Sequence, residues 1–328
     1  MKAAAGLVAL LVAAIMLALC VGVRNAGPMD LWRAFSAFDG NDPLHVTIAS
    51  IRLPRLVAAL IAGAALGMAG TVMQALTRNP LADPGLLGVG AGASLSVVLG
   101  SLILGQADSG VVSALAFPGA AIASGLVFAL GGGLRGDMGP VRLTLAGAAL
   151  NAFLLSVVSA IVLTRTESLD VLRFWVTGSL AQAGERPLAG MGMIALAATA
   201  LALAAAPAIE TLSLGTSLAR GLGTRVVLVQ ATALAIVTLM TGAAVAVAGP
   251  IAFLGLMVPP LARRVVGHSF RGELLVSAAI GASILLFADT AGRLVLAPAE
   301  VRVGVMTALA GGPVFVWIAR KMHAGQRA

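Results

Sequence analysis

Charged side chains are scarce in this sequence of 328 residues, of which only 10% are Asp, Glu, Lys or Arg. A soluble globular domain has about 25% charged and about 45–50% apolar residues, whereas here 59% are hydrophobic and the mean hydropathy is +1.04. These values exclude a soluble globular protein. At about 20 apolar residues per spanning helix, the chain has material for about ten spans with short connections, and none for a second, soluble domain.

Residues that carry catalysis are equally scarce. The only lysines are Lys2 and Lys321, so no G-x-x-x-x-G-K-[ST] loop is present and the chain cannot itself bind and split ATP in that way. Cys20, the only cysteine, excludes an internal disulfide and a four-cysteine metal site. None of the three histidines lies in H-E-x-x-H, and no serine lies in G-x-S-x-G. We therefore predict no catalytic residue, no metal site and no cofactor on this chain.

Apolar runs bounded by charge or by Gly and Pro clusters predict the spans. The ten candidates lie near residues 3–23, 54–76, 86–104, 111–133, 142–163, 188–206, 226–247, 250–266, 274–296 and 304–319. The first exceeds the usual 7–15-residue core of a signal peptide, so we interpret it as a retained helix. The run near 250–266 contains Pro259-Pro260, which predicts a broken helix. The expected fold is an all-α polytopic membrane protein, one transmembrane domain over residues 1–328.

Basic residues indicate the orientation. An even number of spans places both termini on one side, and with cytosolic termini the inner segments hold twelve of the 21 Lys and Arg residues. Only four of the thirteen acidic residues lie there, so the inner face carries the whole formal charge of +8. This weak positive-inside bias predicts cytosolic termini. The high isoelectric point then reflects anionic lipid and cytosolic partners, and we expect no nucleic-acid partner.

Three connections are long enough to carry structure of their own. In the outer connection 24–50, residues 29–35 form a short amphipathic pattern with Trp32 and Phe35, which suits a membrane interface. The outer connection 164–187 contains a similar pattern at 172–175. The inner connection 207–225 is mildly apolar and interrupted by glycine, which is typical of short helices lying against a partner.

Three blocks of sequence carry a resemblance to a known family. The first is Arg52-Leu53-Pro54-Arg55-Leu56 followed by Gly63, Gly67, Gly70, Gln74 and the run from Thr77 to Val89. The second runs from Gly249 to Pro259 and continues through Ala262-Arg263, Gly267 and Arg271. The third is Ala288-Asp289, Arg293, Glu300 and the run from Gly311 to Phe315. Together they resemble the FecCD-like permease subunits of bacterial ABC importers for iron-siderophore complexes, haem and cobalamin.

Shorter motifs make the chain similar to the ferric-enterobactin permease subunits within that family. They are Pro140 to Gly147, Arg173-Phe174-Trp175 with Gly178-Ser179-Leu180, and Leu212 to Gly215. One residue departs from the family pattern, since the histidine that usually follows the proline of the second block is Pro260 here. Any role of that histidine is in doubt, and we expect a more rigid helix end.

The resemblance implies a type II ABC importer permease in the bacterial inner membrane. It implies a second permease subunit, identical or paralogous, around a shared pathway. Two cytosolic ATPase subunits would carry the ATP and Mg²⁺, and a periplasmic or lipoprotein substrate-binding protein would dock outside. The expected function is inward transport of an iron(III)-siderophore powered by ATP hydrolysis on the separate subunits.

Site residues follow from the same resemblance. Arg52, Arg55 and Arg293 match arginines that dock against acidic residues of the binding protein, and Pro54 is expected to fix a turn that lets the first two guanidiniums face outward. Guanidinium suits this role because it stays charged and grips carboxylates in a fork. The alternative for these arginines is contact with lipid headgroups.

The inner face carries the other expected sites. A coupling element received by the ATPase is expected within 207–225, at Leu214, Gly215, Arg220, Gly221, Leu222 and Gly223. A cytosolic gate is expected at Asn79, Pro80, Leu81 and Pro140, although ordinary turn chemistry explains Asn-Pro equally well.

Other functions stay open at this point. Haem and cobalamin are alternative cargoes that nothing in the pathway walls distinguishes from a siderophore. From another class, a proton-coupled secondary transporter would use Asp289, which with Arg293 forms the one clear charge pair inside a run, and such residues are functional candidates. The simpler interpretation of that pair is an ion pair within one helix near the outer interface. A passive channel is the third option.

Overall fold

The computed structural model describes residues 2–22, 24–104, 109–133, 139–164, 175–267 and 269–325. Throughout these ranges the regular structure is helical. The helices are α1 Lys2–Cys20, α2 Pro28–Ser36, α3 Pro43–Val46, α4 Leu53–Thr77, α5 Val89–Leu104, α6 Ser109–Leu130, α7 Pro140–Thr164, α8 Leu188–Ser213, α9 Thr216–Gly221, α10 Val226–Ala248, α11 Leu254–Val266, α12 Phe270–Val295 and α13 Val303–Gly325.

A helix lies at each of the ten predicted spans, within the part of the chain that the structure describes. Six helical segments are long and apolar enough to cross a membrane, and α1, α5 and α13 contain shorter apolar stretches. The remaining helix, α11, has only 13 residues. The all-α polytopic fold is therefore confirmed. The terms outer and inner below follow the predicted topology, in which α2 lies at the outer end.

Helix α4 is the centre of the bundle, with α10, α12, α11 and α8 packed around it. Helices α5, α6 and α7 pack on one another at one side, and α1 packs against α12. Glycine permits the closest contacts: a Cβ atom on Gly70 would lie 1.9 Å from the carbonyl oxygen of Gly255, and one on Gly67 would lie 2.3 Å from that of Ser277. Small residues thus let α4 touch the backbones of α11 and α12.

Two proline expectations are wrong. The chain is helical through Pro54, because Pro43–Thr77 is one continuous helical segment with a π-helical stretch at Thr47–Arg52. Pro54 lies just after the π-helical stretch, at the point where the backbone hydrogen bonds change from a five-residue to a four-residue spacing. Helix α11 likewise continues through Pro259 and Pro260. The interruption comes earlier, at residues 249–253, where Gly249 and Phe253 have φ of 72° and 66°.

Of the three connections with expected structure, two can be checked. The pattern at 29–35 forms α2, with Met29, Trp32 and Phe35 exposed on one face and Leu31 and Ala34 buried on the other. In the inner connection, α8 continues through Pro207 to Ser213, so only α9 is a separate short helix. Most of the pattern at 172–175 lies outside the described residues.

Candidate functional site

Arg55 lies at the centre of an ionic cluster at the outer end of the bundle. Its Nη2 donates to Oδ1 of Asp289 at 2.8 Å, and its Nη1 donates to both carboxylate oxygens of Glu300 at 2.8 and 3.1 Å. The cluster joins α4 to α12 and to the segment that precedes α13. Arg55 and Asp289 are buried, whereas the side chain of Glu300 is 38% exposed.

Arg52 and Arg293 hold the carboxyl end of α1. Arg293 donates to the carbonyl oxygens of Val21 and Ala18, both at 3.0 Å, and Arg52 donates to those of Cys20, at 3.2 Å, and Arg24. Carbonyls in the last turn of a helix have no intrahelical donor, so cationic side chains stabilise them. The expectation of outward-facing guanidiniums is wrong for both Arg52 and Arg55, which are only 4% and 7% exposed.

The simpler interpretation of Asp289 agrees with the geometry. Nε of Arg293 lies 3.3 Å from Oδ2 of Asp289, as an ion pair four residues apart on α12, and Arg55 occupies the other carboxylate oxygen. Removing either partner would leave a buried charge without compensation, which is costly. The arrangement therefore fits a structural junction of α1, α4 and α12.

A cavity of about 300 Å³ opens beside this junction. Its lining consists of Gly22, Arg24, Thr47, Ile51, Arg52, Arg55, Arg293 and Glu300. Four guanidiniums thus face one carboxylate in the wall, with Asp289 behind it. Such an excess of positive charge favours an anionic group.

At the inner end, α9 presents an apolar ridge. Leu214, Leu218 and Leu222, four residues apart, are 61%, 53% and 62% exposed, while Ala219 on the opposite face is fully buried. Leu218 and Leu222 lie on one side of α9, because residues spaced by four share a helix face, whereas Leu214 precedes the bend at Gly215. All three leucines, called the leucine ridge below, stand away from the bundle.

Glycines set the bends on either side of α9. Gly215 and Gly223 have φ of 116° and 80°, a region that other residues rarely adopt. Gly221 lies within α9, has no positive φ and has open space around its Cα, so it is not needed for a turn. Arg220 is exposed on the same short helix.

The expected gate residues follow α4 directly. Oδ1 of Asn79 accepts a hydrogen bond from the N–H of Leu81 at 2.9 Å, an Asx turn that begins just after Arg78 ends α4 with φ of 51°. Pro80, Leu81 and Pro140 are half-buried. Turn chemistry thus accounts for Asn79, and the gate role stays a prediction for all four residues.

The segment that precedes α9 and the segment that follows α4 approach each other. A Cβ atom on Gly215 would lie 3.4 Å from Nη1 of Arg78, and Arg78 immediately precedes Asn79. The sequence analysis placed both elements on the inner face without predicting this contact. Gly215, at the start of α9, thus lies beside the residue that ends α4.

A polar network at the inner end was missed as a site. Gln74 donates from Nε2 to the carbonyl oxygen of Leu256 at 3.2 Å and accepts from Nη2 of Arg263 at 2.8 Å. Nε of Arg263 donates to Glu273 at 2.8 Å. The network ties α4, α11 and α12 together. A buried glutamine within an apolar run was the sequence signal for it.

The Gln74 network explains why Pro260 is tolerated. In an α-helix the N–H of residue 260 would bond to the carbonyl oxygen of Leu256, and proline has no N–H. The Gln74 amide supplies the missing donor. Leu256 therefore has a hydrogen-bond partner although the helix cannot provide one.

Two titratable groups in the connecting segments are perturbed. Burial raises the pKa of Asp83 above its usual value, and the hydrogen bond from the N–H of Gly85 acts in the opposite direction. Burial lowers the pKa of Arg186 to about 10, against the attraction of Glu185. Arg186 remains charged at neutral pH and donates to the carbonyl oxygen of Val247 at 2.8 Å, near the end of α10.

Among the described residues, no group of three His, Cys, Asp or Glu side chains could hold a metal ion.

Comparison with known proteins decides the family. The model of the FecCD transport family matches residues 10–321. The chain therefore belongs to the FecCD transport family. A relative in Escherichia coli K12, the ferric enterobactin transport system permease protein FepD, is 43% identical over 320 residues, covering 98% of this chain and 95% of the relative.

The names of other FecCD relatives mention a siderophore or hemin. The probable siderophore transport system permease protein YfiZ of Bacillus subtilis is 38% identical, over 96% of this chain and 94% of the relative. The hemin transport system permease protein HmuU of Yersinia pestis is also 38% identical, over 93% and 92% of the two chains. The resemblance seen in the sequence blocks is thus confirmed over residues 10–321.

A solved structure confirms the architecture. An inward-facing ABC transporter of the metal-chelate type matches with a TM-score of 0.82 and 26% identity, covering 96% of this chain and 98% of the other. The fold of this FecCD chain is therefore that of an ABC transporter permease, a transport subunit of a larger complex.

Proposed function

We propose that this chain is the permease subunit of an ABC importer that carries an iron(III)-siderophore inward across the bacterial inner membrane. The observation that carries the proposal is the near full-length match to a ferric enterobactin permease at 43% identity. The termini are cytosolic in this proposal. Alternating access is then the work of this chain, with ATP and Mg²⁺ bound by two separate ATPase subunits.

Features at the two ends of the bundle support the partners in this proposal. The arginine-lined cavity at the outer end has the charge to receive acidic side chains of a substrate-binding protein. Because Arg52, Arg55 and Arg293 already have partners within the chain, docking must use the guanidinium donors that remain. A second permease, identical or paralogous, would complete the pathway.

The exposed leucine ridge supports contact with an ATPase subunit at the inner end. Closure of the ATPase pair would push on Leu214, Leu218 and Leu222. The approach of Arg78 to Gly215 then passes the movement to the Asn79–Leu81 gate. In this scheme Arg220 pairs with an acidic wall of the ATPase groove.

Haem is the second candidate cargo, because HmuU is 38% identical over most of both chains. A proton-coupled carrier has less support. Asp289 is 5% exposed, and its two carboxylate oxygens are already occupied by Arg55 and Arg293.

Reconstitution tests the proposal. The complete transporter, assembled in proteoliposomes with its ATPase and binding protein, is expected to take up ferric enterobactin only with ATP, and faster than haem or cobalamin. Faster uptake of haem would replace the cargo. Uptake without an ATPase, abolished by an uncoupler, would refute the importer.

A pair of variants tests the coupling element in the same assay. Leu218→Ala shortens the ridge, and we expect at least a fivefold loss of ATP-dependent uptake with normal assembly of the bundle. Leu196→Ala is the matched control, because Leu196 is 72% exposed on α8, away from the ridge. Equal uptake by the two variants would contradict the coupling role.

A further inference from the structure

Glu300 occupies a position that a carboxylate from another protein could take. We propose that Glu300 is an internal competitor, whose carboxylate is displaced from Arg55 when an acidic side chain of the binding protein enters the outer cavity. This inference rests on the proposed function, and it adds a residue that regulates docking at that site.

The contacts show that the position beside Nη1 of Arg55 fits a carboxylate. Nη1 of Arg55 lies 2.8 and 3.1 Å from the two oxygens of Glu300, so one guanidinium nitrogen serves both of them. The cavity adjoins this contact and is also lined by Arg24 and Arg52. An incoming carboxylate would find the same donor that now holds Glu300.

The two acidic partners of Arg55 differ in how easily they can leave. Asp289 is fixed on α12, with 6% of its side chain exposed and a second arginine beside it. Glu300 has 38% of its side chain exposed and lies in the non-helical segment between α12 and α13. Water can therefore solvate Glu300 as it leaves, so displacing it costs less free energy than displacing a buried ion.

The excess of positive charge makes the exchange favourable. Nε of Arg293 already lies 3.3 Å from Oδ2 of Asp289, and Nε of Arg55 is buried, so the attraction for a second carboxylate comes from the net charge of the cavity rather than from these two donors. Around the cavity four guanidiniums stand against two carboxylates, counting Asp289 behind the wall. A second carboxylate can enter before Glu300 leaves, without an excess of negative charge.

Departure of Glu300 would release one anchor of the segment that leads to α13. The other anchors lie nearby: the N–H of Val301 donates to the carbonyl oxygen of Gly292 at 2.9 Å, and that of Gly304 donates to Gly178 at 3.2 Å. The segment would stay attached while Arg55 changes partners. Docking then exchanges one ion pair for another, which keeps the affinity low enough for release.

The test measures the affinity of the binding protein for the complete transporter in lipid nanodiscs. Glu300→Gln removes the competing charge, and we expect binding about fivefold tighter, which is about 1 kcal/mol at 1.4 kcal/mol per tenfold. Glu185→Gln is the matched control, because Glu185 is an exposed glutamate at the same outer end. It should change the affinity less than twofold.

A second variant separates local competition from net charge. Glu300→Asp keeps the charge but shortens the side chain by one methylene, so its contact with Arg55 should weaken and binding should again tighten. Binding that is unchanged or weaker in both Glu300 variants would overturn the competitor role. If the wild-type transporter bound no binding protein and showed no ATP-dependent uptake, the proposed function itself would fail.

Discussion

Replacing Gln74 by methionine removes the side chain that connects three helices at the inner end. Methionine has a similar length and fits an apolar helix, so the change isolates the lost hydrogen bonds. The Leu256 carbonyl loses its donor, 3.2 Å away, and Arg263 loses an acceptor at 2.8 Å. We expect Gln74→Met to destabilise the fold rather than to alter its shape.

The magnitude follows from these two contacts. A buried carbonyl left without a partner costs about 1–3 kcal/mol. Arg263 retains Glu273 and is partly exposed, so its loss is smaller, about 1 kcal/mol. The expected decrease in the free energy of unfolding is about 2–4 kcal/mol.

Pro260→Ala provides a direct check on the cause. Alanine restores an N–H that can bond to Leu256 within α11. In that background, Gln74→Met should cost about 1–2 kcal/mol less, which appears as a coupling energy between the two sites. SDS titration in mixed micelles, followed by circular dichroism, would measure all four proteins. A coupling energy near zero would refute the proposed exchange of donors.

Two further changes have expected outcomes in the same unfolding assay. Gly70→Ala would place a Cβ atom 1.9 Å from the oxygen of Gly255 and should lower the free energy of unfolding by about 1–3 kcal/mol or more. Gly90→Ala is the control, because a Cβ atom there would have nothing within 4 Å, and it should be close to neutral. Equal effects of the two variants would show that the α4–α11 contact is adaptable. Asp289→Asn leaves two buried arginines without their shared carboxylate and should cost about 3–5 kcal/mol, and a loss below about 1 kcal/mol would show that the junction is not maintained by charge.

Hydropathy predicted the helices well because lipid imposes a simple rule on the backbone. Every spanning segment must satisfy its own hydrogen bonds and present apolar side chains. Both requirements depend on residues that are near one another in the sequence. Proline was the main source of error. The helix continues through both Pro54 and Pro260. Pro54 lies just after a π-helical stretch, and at Pro260 a distant glutamine bonds the carbonyl that the proline leaves without a donor.

The sequence indicated which residues to consider for the candidate sites, but not which residues each of them contacts. Arg52, Arg55 and Arg293 were picked out because they match arginines of the FecCD family. That two of them hold the end of α1 depends on contacts across 28 to 275 residues. The meeting of Arg78 with Gly215 is likewise a contact between distant segments.

The sequence by itself determined that this is a membrane protein of about ten helices, without its own ATP-binding loop, and of the FecCD family. Those properties follow from composition, local periodicity and motifs, which need no knowledge of distant neighbours. Only the tertiary structure decided which charges are buried and which partner each one has. The reason is physical, since burial and pairing depend on how α1, α4, α11 and α12 pack. That packing depends on contacts between residues far apart in the sequence, such as a glycine of one helix against a backbone carbonyl of another.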